Sequence, residues 1–189
     1  MLSAYRELAT AREAQGVPAL PLNAEQTQGL TELLQNPPAG EEEFLLHLLS
    51  DRIPPGVDEA AYVKATWLSA VAQGDAKSPL VSPLEATRLL GTMVGGYNVA
   101  ALIELLKNPD AALAGCAAEG LSRTLLVYDA FNEVMDLAAD NRFAQQVVDS
   151  WAAAEWFTCK PELADSITVT VFKVEGETNT DDLSPATHA

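Results

Sequence analysis

Thiol and imidazole chemistry in this chain would rest on two cysteines, Cys116 and Cys159, and two histidines, His47 and His188. The thiols lie far apart, form no C-x-x-C pair and lack metal-type spacing, which predicts two buried thiols in a reducing compartment. A Cys-His or Ser-His-Asp site has little to draw on, because His47 falls beside the apolar stripe of a helix and His188 is the penultimate residue. There is no G-x-S-x-G, no H-E-x-x-H and no Walker loop. Three glycines in Gly91-Thr92-Met93-Val94-Gly95-Gly96-Tyr97-Asn98 could cradle a phosphate. Their spacing matches no phosphate fingerprint and no strand precedes them, so a tight corner between closely approaching helices is the better reading. Carboxylates are so numerous that no acid–base pair stands out. The residues predict a scaffold or interaction module rather than a catalyst.

The elements that would position these groups are helical. Hydrophobic residues make up 48% of the 189, enough for a substantial core, and 27 acidic against 11 basic side chains leave a net charge of −16. Such a field repels phosphate backbones and anionic membranes. No apolar run reaches the roughly 18 residues of a membrane span, and the start is polar, so the cytoplasm is the expected location.

A modest amphipathic helix over 3–15 ends at Gly16 and Pro18, and Val17 to Leu22 should run extended across the surface of the later helices. Asn23 with Gln26 forms a capping box for the next helix, which carries Leu30, Leu33 and Leu34. Glu41, Glu42 and Glu43 open a helix where its dipole favours acids. Asp58 caps a helix closed by Gly74, and Ser82-Pro83-Leu84-Glu85 starts another. Further helices are predicted over 99–107, over the small-residue stretch 111–126, around Tyr128 to Leu137, and from the cap Asn141 through Phe157. Only Ile167 to Val174 alternates with period two and predicts a strand.

The helices contain a repeat. Leu30-Thr31-Glu32-Leu33-Leu34-Gln35-Asn36-Pro37 recurs as Leu102-Ile103-Glu104-Leu105-Leu106-Lys107-Asn108-Pro109, and Leu68–Ala72 and Val134–Ala138 fit more loosely between and after. The spacing from Leu30 to Leu102 equals two units near the roughly 35–45 residues of paired-helix repeats. The predicted fold is all-α, a HEAT-like α-solenoid of antiparallel helix pairs with one C-terminal strand.

The stretches Asn36-Pro37-Pro38-Ala39-Gly40-Glu41-Glu42-Glu43-Phe44, Pro54-Pro55-Gly56-Val57-Asp58, Gly91-Thr92-Met93 with Gly95-Gly96-Tyr97-Asn98, Ala154-Glu155-Trp156-Phe157 and Glu175 to Ala186 together resemble the N-terminal part of the bacterial aconitate hydratase B family. The resemblance covers nearly the whole chain and is weakest over about 107–150. It implies a HEAT-like helical domain over 1–160, followed over 161–189 by a linker and the opening strand and loop of an incomplete swivel domain. In that family the full-length enzyme interconverts citrate and isocitrate through cis-aconitate and can hydrate 2-methyl-cis-aconitate. It uses a [4Fe–4S] cluster held by three cysteines.

Cys116 and Cys159 do not match those cysteines, so the resemblance implies no catalytic, cofactor-binding or metal residue in this chain and no activity of the chain by itself, as a fragment or truncated homologue. It places Thr178, Asn179, Thr180, Asp181, Asp182 and Ser184 in a swivel loop near the active site of the full enzyme. Asp182 stands where the wider family has a histidine. The partners it implies are the remaining aconitase domains, a second copy bound through the helical domain, and mRNA. RNA is expected only if the arginines and lysines, among them Arg6, Arg12, Arg52, Lys64, Lys77, Arg88 and Lys107, share one face. The alternative is a free-standing HEAT-like regulatory module that binds RNA or a protein partner.

Overall fold

The computed structural model describes residues 1–171, 173, 176 and 179. It divides into two compact units, Met1–Cys159 and Lys160–Ala189.

The first unit is all-helical. Its elements are α1 (Leu2–Glu13), α2 (Ala24–Gln35), α3 (Glu42–Asp51), α4 (Glu59–Gln73), α5 (Pro83–Leu90), α6 (Val99–Leu105), α7 (Ala111–Ser122), α8 (Ala130–Leu137), α9 (Arg142–Ala152) and the single turn α10 (Glu155–Thr158). The short connections force neighbours to run antiparallel, giving the pairs α2/α3, α4/α5, α6/α7 and α8/α9. The pairs stack: α2 on α4, α4 on α6 and α6 on α8 in one layer, α5 on α7 and α7 on α9 in the other. This is the arrangement of an α-solenoid.

The four repeat segments all close helices of one layer: α2, α4, α6 and α8. Corresponding residues share one environment, because Leu30, Leu34, Leu68, Leu102, Leu106 and Val134 are all buried in one continuous core. A three-to-four-residue spacing puts them on a single stripe per helix, and each stripe is covered by the next pair.

Local signals set most helix starts. Asn23 accepts from Gln26 N at 2.8 Å while the Gln26 side chain accepts from Asn23 N at 3.0 Å. Asp58, Ser82, Asp110 and Asn141 each accept a first-turn amide. Gly74 closes α4 at φ +86°, a left-handed conformation that costs glycine little. Leu22 anchors the extended entry segment; it is buried, and its amide donates to Arg52 O at 2.8 Å.

Three expectations are corrected. The helix predicted to reach residue 126 ends at Ser122, where Thr124 N bonds Leu121 O and Thr124 Oγ1 bonds Gly120 O, tightening the last turn. The helix predicted from Asn141 through Phe157 is broken at Ala154, which takes φ +51°, so α10 starts afresh. The strand predicted over 167–174 is not formed over its described residues 167–171 and 173. A strand needs a neighbour to take its amides and carbonyls, and among the described residues none pairs with it. Ile167, Val169 and Val171 are exposed.

Candidate functional site

The connections at one edge of the helical array touch one another and expose several apolar side chains, with Asp58, Arg123 and Asp129 exposed among them. Pro54-Pro55-Gly56-Val57, between α3 and α4, cannot continue a helix. Val94 N, in the α5–α6 connection, donates to Pro55 O at 2.9 Å, and the Tyr97 hydroxyl donates to Val57 O at 2.9 Å. The Tyr97 ring meets Tyr62 edge-on at 5.3 Å. A Cβ on Gly95 would lie 2.0 Å from Gly56 O, so this contact exists only because residue 95 is glycine. Gly96, at φ +93°, brings its Cα to the α7–α8 connection, where a Cβ would lie 4.0 Å from Leu126 O. The glycine cluster is thus a packing corner. It also lets α5 meet α7, since a Cβ on Gly91 would lie 2.9 Å from Gly120 Cα.

The edge continues into an aromatic groove. Leu125, Leu126 and Tyr128 are exposed, and Tyr128 takes φ +45°, rare for a bulky residue. Phe131 stacks on Trp151 at 5.8 Å, and Trp151 Nε1 donates to Leu121 O at 3.1 Å. With Thr124, Leu125, Val127 and Trp156 these rings line a groove of about 310 Å³.

The opposite edge carries the turns within each helix pair and is polar. Ser78 Oγ donates to Leu34 O at 2.6 Å, and Asn141 Nδ2 donates to Leu106 O at 2.8 Å. Leu34 and Leu106 are matching positions of the sequence repeat, so the same helix-end carbonyl is satisfied by the next turn in both places.

Five of the cations named from the sequence, Arg6, Arg12, Arg52, Arg88 and Lys107, are held by partners within the chain. Arg6 pairs with Glu41 and lies over the Phe44 ring at 4.3 Å. That pairing raises the Arg6 guanidinium and lowers the Glu41 carboxyl. Arg88 pairs with Glu85 at 2.6 Å and Lys107 with Glu104 at 2.8 Å. Arg12 Nε donates to Pro18 O at 2.7 Å. Arg52 binds Tyr5 Oη at 3.0 Å and Ala19 O, clamping the entry segment. Lys64 is 2% exposed on α4, and burial pushes its amine down to about 8, against the opposing attraction of Asp51. Lys77 is exposed on the polar edge.

His47 is exposed, with Nδ1 3.0 Å from Asp51 Oδ2. Cys116 is half-buried, its thiol pushed up by desolvation and Glu119, and Cys159 is exposed rather than buried. Among the described residues no three His, Cys, Asp or Glu side chains gather as metal ligands. Two thiols, one on α7 and one just past α10, do not fit the three-cysteine set of a [4Fe–4S] cluster. No described helix is long and apolar enough to cross a membrane. Of the swivel-loop candidates, Asn179 is exposed in irregular structure, and Thr178, Thr180, Asp181, Asp182 and Ser184 lie outside the described residues.

Helix pairs stacked in two layers define a HEAT-like helical domain. The sequence profile of the aconitate B N-terminal domain matches residues 4–157, and the chain belongs to that family. It is 60% identical over 189 residues to the aconitate hydratase B of Synechocystis sp., 61% over 190 to that of Pseudomonas aeruginosa and 46% over 188 to that of Helicobacter pylori. These alignments cover all of this chain and 22% of each relative, so the chain spans about a fifth of the length of the proteins it matches.

Proposed function

We propose that the chain acts as the N-terminal interaction and active-site-gating domain of an aconitate hydratase B. In this reading the remainder of the enzyme interconverts citrate and isocitrate through cis-aconitate on a [4Fe–4S] cluster, and the helical array shapes access to that site without touching the reacting atoms. Residues 161–189 act as the linker and opening of the swivel domain, with Thr178 to Ser184 approaching the active site. The observation that carries the reading is the match of residues 4–157 to the aconitate B N-terminal domain, with identity near 60% along the whole chain. The apolar loop edge supports it, as a surface of the kind an interaction domain offers.

The test exchanges this chain for the matched segment of the Pseudomonas aeruginosa enzyme and follows citrate and isocitrate turnover. The exchanged enzyme should retain activity of the parent's order, deletion of the helical array should change KM or kcat, and the 189-residue chain alone should turn over no citrate. Dehydratase activity in the chain alone, or a deletion without kinetic effect, would overturn the proposal.

A further inference from the structure

We infer that residues 1–21 form a strap over the first helix pair, closed by a latch between Tyr5 and Arg52, that opens as one unit about Leu22 while the stacked helices stay folded. Among the described residues α1 lies along none of the other helices. Tyr5 is its one buried residue, and Leu2 is the one further apolar α1 residue packed on the core. Leu8, Thr10, Ala11 and Glu13 are exposed. The cap residue Met1 offers no side-chain acceptor, and no acid sits in the first turn, so α1 lacks the local support that Asn23 or Asp58 gives the helices after it.

The contacts that hold α1 meet at one place. The Tyr5 hydroxyl donates to Leu20 O at 3.3 Å and accepts from Arg52 Nε at 3.0 Å, and the same guanidinium donates to Ala19 O. Both limbs of the strap, α1 and the extended run after it, therefore close on one arginine at the end of α3. Arg6 pairs with Glu41 and covers the Phe44 ring, which Tyr5 also meets at 6.4 Å. The limbs are tied to each other as well, since Arg12 Nε donates to Pro18 O at 2.7 Å and Val17 N to Arg12 O at 3.1 Å. Just past the latch the chain is fixed again: Leu22 is buried, with its amide on Arg52 O at 2.8 Å.

Opening costs little beside unfolding the stack. It gives up one buried ring and a few hydrogen bonds, and segments with so few buried contacts open locally. A cleft of about 610 Å³ between Met1 and Ala4 on one side and Gln28, Gly29 and Glu32 of α2 on the other shows that α1 does not pack down on α2. A helix of 12 residues is marginal in water on its own, so α1 should melt once the latch is undone. The closed strap puts exposed Ser3, Arg6 and Glu7 outward, the polar cover a terminal repeat needs. The open strap bares Phe44 and the end of the first pair. Arg52, at the end of α3, thereby controls the fold of a helix far from it in the chain.

Amide hydrogen exchange on the 189-residue chain tests the strap. The amides of Leu8 to Ala14 and of Val17 should share one protection factor, at least about a hundredfold below that of Ala65 to Val71 in α4 and Ala117 to Leu121 in α7. Tyr5→Phe keeps the ring and removes the hydroxyl. It should speed the strap amides by about fivefold more and leave Leu22, α4 and α7 as they were. Arg52→Met should speed the same strap amides by at least as much, although it alters none of the strap's own residues.

Strap amides as slow as those of α4 would overturn the inference, because α1 would then open only when the whole stack unfolds. Protection that declines residue by residue toward Ala14 and ignores both variants would overturn it in favour of simple fraying. Variants that speed the α4 and α7 amides as much as the strap would overturn it as well, by making α1 part of the stack's own cooperative unit.

Discussion

The two edges of the helical array are built from the same repeating pairs and solve the problem of their loose ends differently. At the polar edge, side chains satisfy helix-end carbonyls one repeat away, Ser78 at Leu34 and Asn141 at Leu106. Each link is a part-buried hydrogen bond. At the apolar edge, main chain also meets main chain through glycines, and Val57, Val94, Leu125, Leu126 and Tyr128 are left exposed. The second edge relies on close backbone contact at glycines as well as on the Tyr97 and Asn98 side chains, so its tolerance to mutation should be uneven: severe at glycines, slight at the exposed Val57.

The sharpest way to break this comparison is Gly95→Ala. With a Cβ 2.0 Å from Gly56 O, the variant should lose upwards of about 3 kcal/mol of unfolding free energy in urea, through a backbone shift at the edge. A loss under about 1 kcal/mol would mean that the loops are not locked together.

Between the edges, Lys64→Met should stabilise the chain. The wild-type amine falls from 10.5 to about 8 on folding, so at pH 7 the folded state carries a burden of about 3 kcal/mol that the variant lacks. From pH 8 to 10.5 the unfolded chain binds more protons at this site than the folded one, so wild-type stability should rise with pH across that window. The variant's advantage should shrink in step. Urea midpoints at about pH 7 and pH 10 measure it, and an advantage independent of pH would place the effect in packing instead.

On the polar edge, Asn141→Ala removes both the α9 cap and the bond to Leu106 O, and Ser78→Ala removes the bond to Leu34 O and the acceptor of the Leu80 and Val81 amides, so each should cost about 2 kcal/mol in thermal melts. A loss under about 0.5 kcal/mol for Asn141→Ala would show that the cap is dispensable. The smallest effect should be Val57→Ser on the apolar edge, within about 0.5 kcal/mol in the isolated chain, since the side chain is exposed.

Much of the fold was legible in the sequence because it is written in short-range chemistry. The caps at Asn23, Asp58, Ser82 and Asn141 act on amides two or three residues away, so residue type and spacing suffice to find them. The Leu30 and Leu102 segments announced the repeat because equivalent positions face equivalent neighbours. The family, too, was legible, from stretches such as Pro54 to Asp58 and Gly91 to Asn98 that the structure shows to be the joined loops of the apolar edge. The exposed side chains of that edge were harder to see. Leu125 and Leu126 fell inside the helix expected over 111–126, which ends at Ser122 and leaves both exposed.

By itself, then, the sequence determined where helices start, which stripe of each is buried, that the pairs repeat, and which family the chain resembles. Tertiary structure alone decided that Lys64 is buried and that Arg6 finds Glu41. It also decided that Arg52 clamps the entry segment, that Gly95 sits on Gly56, and that Ile167 to Val171 form no strand. The physical reason is range. A cap or an amphipathic stripe is completed within a turn or two of the chain, whereas a loop contact, a buried amine or a strand depends on what another part of the molecule places opposite it.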